Sequence, residues 1–194
     1  MRRTGLFALM ISLALLCGCG RAAAAKDGER IEAMRAELAA SAGVSFSAQI
    51  TFDDGQAVSD YDLLCTRSGG ETRMELRAPE LIAGVTARLT GENAVLEFDG
   101  LSLEAGTVGE DSLTPIAAPA AILDALEQGV VSQLRRETWD GREAVAFRVV
   151  LSAAASADLW LDAETLAPLH AELNAGEQTV IFCELSDWNL QKEG

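Results

Sequence analysis

The chain offers few parts for catalysis: one histidine, His170, and only two cysteines beyond residue 20, Cys65 and Cys183. A catalytic histidine needs an orienting group on one ring nitrogen and a nucleophile or water on the other. His170 alternates with Glu172 and Asn174, which places it on the polar face of a strand as a surface residue, and no serine stands in a Gly-x-Ser-x-Gly frame. Asp53 and Asp54, and Asp60 and Asp62, are the carboxylate pairs that acid–base chemistry would use. Turn preference explains the first pair, which precedes Gly55, and solvation of a polar strand face explains the second. Gly69-Gly70 lacks the lysine and helix of a phosphate loop, and no Cys/His spacing suits a metal. The expectation is a protein without catalytic residues, cofactor or metal.

The residues that do point to chemistry lie at the start. Arg2 and Arg3 precede an uncharged run from Gly5 to Leu16, the order of an export signal, and about a dozen apolar residues are too few for a good membrane span. The exit Leu16-Cys17-Gly18-Cys19 resembles a bacterial lipoprotein signal. That resemblance implies cleavage before Cys19, whose sulfur then carries a diacylglyceryl group; two acyl chains hold a protein stably at a membrane. The alternative is an ordinary secretory signal cut within Ala22 to Ala25. The division expected is a signal over 1–18, a flexible tether over 19–29 and one folded domain over 30–194, outside the cell membrane, or at the outer membrane of a two-membrane cell.

Loss of the signal leaves 13 basic against 30 acidic residues, a formal charge of −17. Phosphate binding demands basic patches, so nucleic acid is excluded as a partner, and adhesion to anionic lipid is disfavoured. Attachment then rests on the acyl chains.

The elements that follow alternate in period. Ile31, Met34 and Leu38 form a helical stripe, with Asp27 as the expected N-cap and Gly43 as the stop. From Val44 to Phe52 the pattern drops to strict alternation, a half-buried strand, and Asp53-Asp54-Gly55 turns it back. Further short strands fall over about 57–67, 72–78, 85–90, 94–98 and 101–104, an antiparallel meander. Ile122, Leu123 and Leu126 stripe a second helix over 116–128, with Pro119 near its start. Five more strands follow, over about 130–138, 143–151, 157–162, 168–174 and 178–188. The fold class expected is mainly β (α+β): a single antiparallel sheet, polar outside and curled on itself, with both helices covering its concave face.

This order of helix, meander, helix and meander resembles the bacterial lipoprotein-carrier superfamily of LolA/LolB type, with relatives such as LppX and RseB. Supporting stretches are Ala78-Pro79-Glu80-Leu81-Ile82-Ala83-Gly84-Val85 and Thr114-Pro115-Ile116 leading through Pro119 to Leu126. The resemblance implies an unclosed half-barrel holding an acyl chain, a lipid or a lipidated protein segment, in a monomer. Alternation nominates Phe46, Ile50, Leu63, Met74, Leu76, Val85, Leu89, Ile122, Leu126, Phe147 and Val149 as lining residues. The other reading of the same fold is a sensor or protein-interaction lipoprotein with a filled core. Cys65 and Cys183 fall on apolar faces of strands that should not be neighbours, which favours two free buried thiols. Of Trp139, Trp160 and Trp188, Trp160 is out of phase with Leu159 and Leu161 and is expected to be exposed.

Overall fold

The computed structural model describes residues 18–107 and 113–192, with side chains from residue 24. The nominated signal residues before Gly18, and the side chain of Cys19, lie outside what is described. Eleven strands form one antiparallel sheet: β1 (Gly43–Asp53), β2 (Val58–Ser68), β3 (Glu71–Ala78), β4 (Thr86–Thr90), β5 (Asn93–Phe98), β6 (Leu101–Thr107), β7 (Val131–Trp139), β8 (Arg142–Val150), β9 (Ala155–Asp162), β10 (Pro168–Ala175) and β11 (Gln178–Gln191). Their spatial order is β6-β5-β4-β3-β2-β1-β11-β10-β9-β8-β7. The two meanders therefore meet at the β1–β11 ladder in the middle, and β6 and β7, neighbours in sequence, form opposite edges. The sheet does not close into a barrel.

The chain must cross from one edge to the other between β6 and β7, and it does so through α2 (Ala118–Gln128). Thr114 closes a turn ahead of this helix by accepting a hydrogen bond from the Ala117 amide on its hydroxyl (3.2 Å). Ile122, Leu123 and Leu126 of α2 and Ile31 and Leu38 of α1 (Gly18–Ala39) join the inward residues of both meanders in one core cluster. Each such fully buried aliphatic side chain contributes about 1.5–3 kcal/mol. Both helices lie on the concave side, as the stripes required. Arg35 of α1 donates to the last carbonyls of α2, Leu126 (2.8 Å) and Gly129 (2.5 Å), where the helix leaves acceptors without partners.

Two glycines are fixed by close approach. A Cβ on Gly43 would stand 2.6 Å from the Arg67 carbonyl oxygen, and one on Gly129 would stand 2.3 Å from Val149 Cγ1.

The residues expected as a tether are helical where they are described. Helix α1 runs unbroken from Gly18 to Ala39, because the alanine run is a strong helix former and continues it past Asp27. Asp27 is no N-cap. It is 2% exposed and accepts two hydrogen bonds from Arg136 of β7, Nε to Oδ2 at 2.7 Å and Nη2 to Oδ1 at 2.6 Å. Hydrogen bonding to Arg136 holds its carboxyl below the ordinary value, against the burial that would raise it. Among the described residues, no helix is long and apolar enough to cross a membrane.

Candidate functional site

On the concave face, ten of the eleven nominated lining residues are buried in the single core cluster, and Val85 packs against it half-buried. They meet one another and the α2 stripe. A pocket of about 520 Å³ opens at one end of this face, between the end of α1, the β2–β3 turn and α2, lined by residues that include Leu38, Gly43, Thr72, Leu89, Asp124 and Glu127. Arg67 stands in its wall, 2.7 Å from Asp124 and 3.4 Å from Glu127, with Nε donating to the Thr72 hydroxyl at 2.9 Å. This arginine ties the sheet to α2 at the mouth.

The helices do not cover the whole face. In β5 and β6 the register pairs Leu96 with Leu103 and Phe98 with Leu101, and opposed residues share a face. Ala94, two residues before Leu96, is in the core, so all four point to the concave side. Phe98 is 54% exposed, Leu101 76% and Leu103 66%. The concave surface thus continues past the packed core as a bare apolar strip along β5 and β6.

The convex face of β7–β10 holds a second, smaller cluster, around Ala144, Ala146 and Trp160 with Trp139 and Leu169. The small alanines of β8 leave room for indoles from both neighbouring strands. Trp139 stacks on His170 at 4.0 Å, and Trp160 meets both rings at 5.1 Å. Trp160 Nε1 donates to Glu137 Oε1, and this bond together with Arg135 holds the Glu137 carboxyl below its ordinary value against the opposing effect of burial. Two expectations are corrected here: Trp160 is buried, and His170 is 3% exposed. The reason is the same for both, since Trp139 folds over a strand face that alternation alone marks as solvated. Glu184 Oε1 lies 2.9 Å from His170 Nδ1 and Glu172 Oε1 3.5 Å from Nε2, but out of line, so neither ring nitrogen has a hydrogen-bond partner. No group of three metal-ligating side chains occurs among the described residues. On the same face Arg148 pairs with Asp158, which also accepts from Asn174 Nδ2 at 3.0 Å.

Cys65 and Cys183 are free and buried, in β2 and β11, which are separated by β1. Burial pushes both thiols well above their ordinary pKa, so neither is a nucleophile in the folded protein.

No protein-family model and no curated protein matches the chain. Among solved structures, it is similar to an uncharacterized conserved protein from Thermus thermophilus, at 10% identity over 87% of this chain and 90% of that one, with a TM-score of 0.52. Looser likenesses include a LolA superfamily protein from Nitrosomonas europaea (13% identity, 83% of this chain and 92% of that one, TM-score 0.41) and the lipoprotein LppX of Mycobacterium tuberculosis (16%, 81% and 96%, 0.42). With the Thermus thermophilus protein the chain shares its fold. At these identities the likeness is one of architecture alone.

Within this half-open sheet, sequence reasoning missed the bare strip, because it nominated lining residues by alternation without asking which strands the two helices reach. The signal was present. Phe98, Leu101 and Leu103 fall in phase across the Asp99-Gly100 turn, and neither eleven-residue α2 nor α1 offers a stripe wide enough to span eleven strands.

Proposed function

We propose that this chain is a lipoprotein anchored through Cys19 outside the cell membrane, and that it binds a hydrophobic ligand, an acyl chain or lipidated segment, on the concave face of its half-barrel. The reading is a binding function without catalysis. The observation that carries it is the strip of Phe98, Leu101 and Leu103, large apolar side chains left open beside the packed core of the same face. Their open surface is on the order of 300 Å² and is worth about 7 kcal/mol at 25 cal/mol per Å², enough to offset part of the cost of association. A ligand lying on the strip reaches Val85 and Leu96 next, and Leu89 and Met74 only if α2 shifts. Arg35 and Arg67, the polar ties that hold α2, are then the contacts that must yield.

The test is titration of the soluble domain with a fluorescent long-chain fatty acid. Wild type should bind, and Leu101→Ser with Leu103→Ser should weaken binding at least tenfold, since each truncation removes about 1–2 kcal/mol of burial. Stability should change by less than about 0.5 kcal/mol, because both side chains are already in water. Equal binding by the double variant would refute the strip as the site.

A further inference from the structure

The two edges of the sheet are finished differently. On β7 the side chains of Arg135 and Arg136 bring charge to the edge, and Arg136 is paired with the buried Asp27 of α1 on the concave side. On β6 all seven residues, Leu101–Thr107, are exposed, and among the described residues the strand pairs only with β5. Natural proteins blunt a bare edge with lysine, proline, inward charge, a β-bulge or a cover, because its free N–H and C=O groups template another strand. The sequence Leu-Ser-Leu-Glu-Ala-Gly-Thr contains neither lysine nor proline, and its one such device, a one-residue register shift between Glu104 and Gly106, leaves the regular stretch Leu101 to Glu104 open.

The direction of those free groups follows from the hairpin. Asp99 and Gly100 both have positive φ (48° and 78°), and they form a two-residue turn that pairs Phe98 with Leu101. The pair flanking such a turn exchanges the hydrogen bonds, and bonded and unbonded pairs then alternate. Leu101 and Leu103 therefore bond inward to β5, while the amides and carbonyls of Ser102 and Glu104 point away from the sheet. Side chains sort as clearly: Leu101 and Leu103 lie on the concave side, Ser102 and Glu104 on the convex side.

Charge decides what fits. Residues 91–107 carry Glu92, Glu97, Asp99 and Glu104 and no lysine or arginine. Of these only Glu97 has an ion pair among the described residues, 2.6 Å from Arg88. A second copy of this strand would bring two acidic hairpins together on chains of formal charge −15, which is unfavourable.

We propose that β6 is a strand-addition site for a partner protein, whose extended segment alternates apolar and basic side chains. The segment's backbone completes the free hydrogen bonds of Ser102 and Glu104. Its apolar residues lie beside Leu101 and Leu103, and its basic residues lie beside Glu104. This surface differs from the hydrophobic-ligand site in using the backbone edge, so the two can fail separately.

The experiment uses the soluble domain and three acetylated, amidated octapeptides: alternating Val-Lys, a block peptide of the same composition, and alternating Val-Glu. Calorimetry gives affinity, and amide exchange by NMR gives location. The expected result is binding of alternating Val-Lys alone, with slowed exchange at the Ser102 and Glu104 amides. Ser102→Pro, which removes an outward N–H at an edge position that tolerates proline, should weaken binding at least tenfold while fatty-acid binding is kept. Glu104→Lys, which leaves the backbone intact, should shift preference to the Val-Glu peptide. Equal binding of the block peptide, unchanged exchange at the two amides, or a free domain that is already a dimer protected at β6 would each overturn the proposal.

Discussion

The Asp27–Arg136 pair yields a prediction whose sign and order both follow from burial. Asp27 is enclosed, whereas Arg136 is 45% exposed on its side-chain surface, and Arg30 lies 3.7 Å from the same carboxylate. Replacing Arg136 by alanine strands a buried carboxylate, which costs about 3–5 kcal/mol for a removed partner, with the nearby Arg30 placing it near 3. Replacing Asp27 by alanine instead frees an arginine that can rehydrate, so about 1–2 kcal/mol is lost. At a urea m-value of about 2 kcal/mol/M, Arg136→Ala lowers the unfolding midpoint by about 1.5 M and Asp27→Ala by less than 1 M. The pH dependence separates the two further. In the native protein the Asp27 carboxyl is depressed, so its contribution is complete above the unfolded value of about 3.9 and is lost as pH falls through the folded value. Without Arg136 the largest cause of the depression is gone and burial opposes what Arg30 and Lys26 still supply, so the variant has less stability to lose as pH falls from neutral toward 4. The gap between wild type and Arg136→Ala should narrow on acidification, measured by urea unfolding followed by circular dichroism at pH 7, 5.5 and 4. An Asp27→Ala variant as damaged as Arg136→Ala, or a gap independent of pH, would refute the argument and return residues 24–29 to the status of a tether.

Two further outcomes are expected. Gly129→Ala forces a methyl group into Val149 and should destabilise the domain by about 2 kcal/mol, partly recovered by adding Val149→Ala; no loss in thermal unfolding would mean that the α2 exit is not tight. Cys19→Ser should move the expressed full-length protein from the membrane to the soluble fraction, with an unchanged urea midpoint for the folded domain; unaltered fractionation would remove the anchor from the proposed function.

Much of the architecture was legible because alternation is a local property. Val44 to Phe52 shows it without a break, and the Gly-containing turns mark where each strand ends, so strand number, antiparallel pairing and the two striped helices follow from neighbours in sequence. What escaped depends on partners far away. Asp27 reads as a cap because Arg136, its partner, lies 109 residues on. His170 and Trp160 read as solvated because the indole that covers them comes from Trp139, and Ala144 and Ala146 were the only hint, two small side chains on a face where polar ones were expected. The lining residues were legible as apolar and inward, yet alternation is silent on whether an inward residue meets a helix, a ligand or water.

That last distinction is where the molecule divides. The limb from β7 to β10 is consolidated on both faces: the helices share its concave core, while Trp139, Trp160 and the Arg148–Asp158 pair cover part of the convex side. The limb from β4 to β6 has a shorter core contribution, Ala87, Leu89 and Ala94, and ends in seven exposed residues. Local opening is drawn from regions with few buried apolar contacts, so this limb should exchange its amides fastest and yield first. A ligand on the strip and a strand on β6 would both stabilise the limb that folding alone leaves weakest. Binding at either site should therefore raise amide protection across β4 to β6 before it changes the β7–β10 limb at all.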